Sequence, residues 1–187
     1  MSIKPRQLDI QGLRGASPFY FLCCKHIFLS ASALLDQGMD VNMGDVDGNT
    51  PLHFAVSALS IDLITFLIQK GADVRIGNAK GERPLHKAAT CKATAEVLAN
   101  ILHLFLLDSA YLEDADSSGH TPLLMAAKYG NLDLVRNLLA HGADFTVANS
   151  LGQTALHLAA IVGQHAILEA LLGSGANPNA QDSAEET

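Results

Sequence analysis

The sequence predicts an all-α fold, a solenoid of stacked helix–loop–helix units, on three observations. A turn glycine followed by a helix-start motif recurs: Gly48, Gly81, Gly119 and Gly152 open "GNTPLHFA", "GERPLHKAA", "GHTPLLMAA" and "GQTALHLAA", with a fainter copy at Gly15, "GASPFYFLC". A second mark keeps step with the first, in "QGMDVN" at Gly38, "KGADVR" at Gly71, "DSAYLE" at Ser109, "HGADFT" at Gly142 and "SGANPN" at Gly175. The opening glycines lie 33, 33, 38 and 33 residues apart, and two motifs sharing one period denote a structural repeat. Between the two marks runs an apolar stripe at i, i+1, i+4 and i+5, the spacing of one buried helix face.

Taken in order, residues 1–14 form a leading segment and the repeats occupy 15–47, 48–80, 81–118, 119–151 and 152–184 of a repeat domain that runs to residue 187. In the first unit "FYFLCC", Phe19 to Cys24, reads as the helix of a worn repeat, because Pro18 lies 33 residues before Pro51. In the second, Thr50 is placed to cap a helix and Pro51 to occupy its first position, where a missing donor costs nothing. His53, three residues after the cap, reaches back as the acid of a capping box does, and Thr154 and His157 repeat the pairing. The first helix, roughly 51–58, is rich in small residues, which lets a neighbouring unit approach closely. The second carries Leu63, Ile64, Leu67 and Ile68, with counterparts Ile101, Leu102, Phe105, Leu106, then Leu134, Val135, Leu138, Leu139, then Ile167, Leu168, Leu171, Leu172. The glycine after each stripe suits a left-handed C′ position, Ser109 excepted. Two short helices expose an apolar face on each side, so only stacking against the units before and after buries both.

The third unit holds five additional residues between Gly81 and Ile101. Because "KATAEVLANILHLFLLD" has strong helical propensity, the expected outcome is a longer helix pair and a bulge on the outer face. Leu104 and Leu107 there exceed one stripe, and burial inside the longer helices is favoured over a second contact surface.

Composition narrows function. A formal charge of −7 and a pI near 5.5, with twelve basic residues scattered along the chain, argue against a nucleic-acid or anionic-membrane surface, which needs clustered Lys and Arg. Three cysteines, Cys23, Cys24 and Cys91, are too few for a disulfide scaffold and fit a reducing intracellular compartment, cytoplasm or nucleus, of the producing cell or of a host. No apolar run reaches the length of a membrane span.

The "GNTPLHFA" series, its alanine pairs, the apolar second helix and the Gly-Ala-Asp mark together resemble the ankyrin repeat. The resemblance covers residues 15–187 and implies an L-shaped helix–loop–helix stack with hairpin-like loops projecting from it. It also implies a protein-binding function with no cofactor. The departures are Ser17-Pro18-Phe19-Tyr20 in the first unit, Arg83 for the capping threonine, Leu124 for the histidine and Ala155 for the proline, each a local weakening that stacking absorbs.

Reactive side chains read as structural. Cys23-Cys24-Lys25-His26 is poor zinc geometry, and Cys23 aligns with the packing position Val56. Of eight histidines, His53, His86 and His157 recur one per unit as helix-start hydrogen-bonders too far apart to share an ion. "GADVRIGNAKG" lacks the strand–helix context and Lys-Ser/Thr ending of a phosphate loop. Glu113-Asp114-Ala115-Asp116 lacks calcium-loop spacing and reads as solvated loop charge. No catalytic residue, metal ligand or cofactor is expected. What remains is a surface. The resemblance implies a protein partner on the concave side, at loop tips and exposed first-helix positions: Val46, Asp47, Asn49, Ser57 and Ala58; Ala79, Lys80, Glu82, Thr90 and Cys91; Ser117, Ser118, His120, Lys128 and Tyr129; Ser150, Leu151, Gln153, Ile161 and Val162. Tyr129, Leu151, Ile161 and Val162 put an aromatic and aliphatics on a polar face, the composition of a hot spot. The alternative for Ile161 and Val162 is packing between helices. A monomer is expected. The competing reading of function is a targeting segment of a larger enzyme, channel or host-interacting effector.

Overall fold

The computed structural model describes Leu22, residues 27–105 and residues 111–184. The helix expected over Phe19–Cys24 and the Cys23-Cys24-Lys25-His26 cluster therefore lie outside the described residues apart from Leu22, as do Leu106, Leu107 and Ser109. Nine helices follow along the described chain: α1 Phe28–Asp36, α2 Pro51–Ser57, α3 Ile61–Gln69, α4 Pro84–Ala88, α5 Ala95–Phe105, α6 Pro122–Tyr129, α7 Leu132–Ala140, α8 Ala155–Ile161 and α9 His165–Gly173. They stand in two ranks. The first helices α2, α4, α6 and α8 stack in sequence, and the second helices α3, α5, α7 and α9 stack beside them. Phe28 of α1 continues the second rank by stacking on Phe66 of α3, ring centroids 5.0 Å apart. This is the all-α solenoid the repeat period predicts.

The stripes build the core. Leu63, Ile64 and Leu67, then Leu134, Val135 and Leu138, then Ile167 and Leu171 are buried, and α5 adds Leu98, Ile101, Leu102 and Phe105. Each large aliphatic of this kind, taken out of water, contributes about 2 kcal/mol. Leu104 packs against the same core. The alanines on the facing first helices, Ala55, Ala88, Ala126, Ala127 and Ala159, are also buried, so small side chains there let successive units come close.

The third unit departs from the expected longer helix pair. Its second helix does begin early, at Ala95, but α4 stops at Ala88, and residues 89–94 form an irregular connector. The pair is also spread: α2 packs closely on α3 and α6 on α7, whereas α4 and α5 touch only sparsely. The reason lies in the next unit. Asn131 Nδ2 donates to the carbonyls of Ala88, Ala89 and Cys91 at 3.1, 3.3 and 3.0 Å, while its Oδ1 accepts from Leu134 N at 3.1 Å and caps α7. Ala88 O also accepts from Cys91 N at 3.2 Å, so it is chiefly the carbonyls of Ala89 and Cys91, past the early helix end, that this outside donor satisfies.

Between the ranks and the solvent, each loop tip closes like a hairpin. Asp45 N donates to Asn49 O, Asn78 N to Glu82 O, Asp116 N to His120 O and Asn149 N to Gln153 O, all at 2.9–3.0 Å. The opening Asx side chain of each tip accepts two more backbone N–H groups, as Asp116 Oδ1 does from Ser118 and His120, both at 2.8 Å. Successive tips are then stitched together: Ala79 N to Asp47 O, Ser117 N to Lys80 O, Ser150 N to Ser118 O and Ser183 N to Leu151 O, at 2.9–3.1 Å.

That ladder explains one glycine of the motif. Gly119 sits at φ +78°, and a Cβ there would lie 2.7 Å from Ser150 N, the donor of the stitch. Gly142, after α7, has φ +88° with nothing within 4 Å of a would-be Cβ. Gly142→Ala should therefore cost only the backbone strain, about 1 kcal/mol. Gly119→Ala should cost about 2–3 kcal/mol, because a backbone atom cannot move aside as a flexible side chain can. Urea denaturation of the two variants checks this, and equal losses would show that the close approach costs nothing.

Candidate protein-binding groove

The helix-start motif does more than begin a helix. His53 Nδ1 accepts from Thr50 N at 3.0 Å with Thr50 Oγ1 2.9 Å away, while its Nε2–H donates to Glu82 O in the next unit at 2.8 Å. His86 repeats the arrangement, with Nδ1 accepting from Arg83 N at 3.1 Å and Nε2–H donating to His120 O at 2.9 Å. His157 Nδ1 accepts from Thr154 N at 3.2 Å. Each ring is buried. Burial disfavours the imidazolium, pushing His53 down to about 4 and His86 below the ordinary histidine value. Both are neutral imidazoles that fasten one unit to the next. Leu124, in the histidine position of the fourth unit, is buried and makes no such tie, and Thr121 caps α6 alone by accepting from Leu124 N at 3.3 Å.

Two sequence readings need correction. Arg83 is not merely a lost cap: its Nη1 donates to Ala115 O at 2.9 Å and its Nε lies 2.9 Å from Asp114 Oδ2, an ion pair that ties the start of the third unit to its closing loop. The acidic run is correspondingly not solvated loop charge. Asp114 pairs with Arg83, Asp116 organises its tip and lies 3.4 Å from His120 Nδ1, and Glu113 Oε1 accepts from Asp144 N at 2.8 Å. Glu113 and Asp114 thus tie their loop to other segments, while Asp116 orders its own tip.

The concave residues divide into three sets. Ser117, Ser118, His120, Lys128, Ser150, Leu151, Gln153, Ile161 and Val162 line one recess of about 620 Å³ between the fourth and fifth units. Here α6 and α8 supply the wall and the two loop tips the rim. Leu151, Ile161 and Val162 are 62, 68 and 45% exposed, so the alternative in which Ile161 and Val162 pack between helices does not hold. Thr90, Cys91 and Tyr129 line a second recess of about 680 Å³ with residues of the 89–94 connector. The four hot-spot residues are thus not one cluster: Tyr129, 53% exposed, belongs to the neighbouring hollow. Val46, Asp47, Asn49, Ser57, Ala58, Ala79, Lys80 and Glu82 line neither recess.

Within that last set, Asn49 and Glu82 are half-buried framework and not free surface. Asn49 Oδ1 accepts from Asn78 Nδ2 at 2.8 Å. Glu82 pairs with Lys87 and accepts from Asn78 Nδ2 at 2.9 Å. Burial pushes the Glu82 carboxyl up, but the hydrogen bonds from Lys87 and Asn78 outweigh it and hold the group below its ordinary value. Cys91 is half-buried, its Sγ donating to Lys87 O at 3.1 Å, and burial pushes the thiol up, which makes it a poor nucleophile.

Sequence reasoning missed Leu158 and Asn149, which complete the first recess. Both had a signal: Leu158 precedes Ile161 by three residues on one helix face, and Asn149 occupies the Asx position that opens every tip. Among the described residues, no group of three or more His, Cys, Asp or Glu is placed to hold a metal ion, and no helix is long and apolar enough to cross a membrane.

A family model described as "Ankyrin repeats (3 copies)" matches residues 3–78, 24–104, 60–148 and 85–182. An ankyrin repeat protein of Rickettsia bellii (strain RML369-C) is 38% identical to this chain over 112 residues, a match covering 60% of this chain and 34% of that protein. The chain spans about a third of the length of that curated relative.

Proposed function

The chain belongs to the ankyrin-repeat family, and from that premise we propose that it is a non-enzymatic protein-binding module, an adaptor, scaffold or competitive inhibitor. Its five units, 15–47, 48–80, 81–118, 119–151 and 152–184, hold a partner protein chiefly in the recess of the fourth and fifth. The observation that carries this reading is the side-by-side exposure of Leu151, Ile161 and Val162 in one concave recess. A contiguous apolar patch rimmed by polar groups is the composition of an interface. The mechanism is rigid presentation: histidine ties, tip ladder and packed ranks order the recess in advance, so little further conformational entropy is lost on binding. A non-catalytic role is supported by the engagement of His53, His86, Asp114 and Asp116 in bonds between or within units.

The test begins with capture of the partner on the immobilised chain and measurement of its affinity by calorimetry. Leu151→Ala should weaken binding at least about tenfold, and Tyr129→Ala likewise if the partner spans both hollows, with unchanged melting curves because both side chains are exposed. Full affinity in the Leu151 variant would discard the recess. A second reading, recognition segment of a larger protein, is supported by the greater length of the Rickettsia bellii relative. The intact mass of the native protein decides between the two.

A further inference from the structure

We propose that the recess between the fourth and fifth units receives an extended peptide segment carrying an acidic side chain next to an aliphatic one. The inference rests on the reading of this recess as the partner site and adds the chemistry of what enters it. Leu151, Ile161 and Val162 offer an aliphatic wall that an apolar side chain covers. Lys128 stands in the same recess, makes no ion pair among the described residues, and no acidic side chain lines the recess beside it. In a chain of net charge −7, an unneutralised ammonium next to apolar surface is a local site for a carboxylate. One lysine is too few for a phosphate backbone, which selects peptide over nucleic acid.

The rim selects backbone form. Ser117, Ser118 and Ser150 line the recess, and none of their hydroxyls makes a hydrogen bond among the described residues. A hydroxyl both donates and accepts. An extended segment presents free N–H and C=O groups to such a row, whereas a helix has already spent its own.

Panning a random peptide phage library on the full chain tests this, followed by fluorescence anisotropy on synthesised selected peptides. The expected peptides pair Asp or Glu with an aliphatic residue, lose affinity on Leu151→Ala, and weaken about fivefold on Lys128→Gln, the scale of an exposed ion pair. Replacing the peptide's acid with its amide should cost the same factor on the unaltered chain and nothing on Lys128→Gln. Selected peptides without acids, or an acid-to-amide loss equal on both proteins, overturn the inference while leaving the recess as partner site. Peptides bound helically by circular dichroism overturn the extended form. Binders indifferent to Leu151→Ala, or no binders, count against the recess itself and so against the proposed function.

Discussion

Lowering the pH from 7 to 4 will destabilise the fold by about 3 kcal/mol through His53 alone. The sign follows from where the protons go. His53 is held at about 4 in the folded chain, burial being the largest cause, against about 6.5 when unfolded. Between those values the unfolded chain binds a proton that the folded one refuses, so stability is fully present above about 6.5 and drains away as the pH falls toward 4. His86 is depressed for the same reason and adds in the same direction. Protonation would place a second N–H on Nδ1, facing the Thr50 N–H that this atom accepts in the fold. Urea unfolding followed at half-unit pH steps measures the effect. His53→Gln should be weaker at pH 7 and should lose about 1.4 kcal/mol per pH unit of the slope across the window. An identical slope in the variant would show that this ring is not the group responsible.

Asn131→Asp will cost about 3–4 kcal/mol at pH 7, more than Asn131→Ala at about 2. The alanine variant loses a helix cap worth about 1 kcal/mol and leaves the carbonyls of Ala89 and Cys91 without the Asn131 donor, Ala88 O keeping its bond from Cys91 N. The aspartate variant keeps an oxygen to accept from Leu134 N but turns a carboxylate toward three carbonyl oxygens, exchanging attraction for repulsion at hydrogen-bond range. Thermal melts of the three proteins read this order directly. The aspartate variant should recover part of its loss relative to alanine as the carboxyl is protonated. Were Asp to cost little, and less than Ala, Asn131 would be acting only as the cap of α7.

Much of this architecture is written locally. Thr50 before Pro51, His53 three residues on, and Leu63, Ile64 and Leu67 at helical spacing are relations within a few residues, and the structure places them as helix cap, capping partner and buried face. The exposure of Leu151, Ile161 and Val162 is legible by another route, since the family resemblance implies that these positions lie on the concave side. The failures share a cause. The resemblance puts Glu82 and Asn49 on open surface because their partners, Lys87 and Asn78, are specified only once the tips are folded and stitched together. Sequence position groups Tyr129 with Leu151 because it counts residues, whereas the short α4 and its irregular connector open a separate hollow beside Tyr129.

By itself, then, the sequence determined the repeat, the start of each first helix and the face each second helix buries, all of them consequences of capping and periodicity over one or two helical turns. Tertiary structure alone decided that His53 fastens to Glu82, that Arg83 pairs with Asp114, that Asn131 closes a helix in the preceding unit, and that Leu151 and Tyr129 lie in separate recesses. Those contacts join residues 29–43 positions apart. Their donors and acceptors meet only when burial brings successive units, or the two ends of one unit, against each other, and no local pattern encodes that distance.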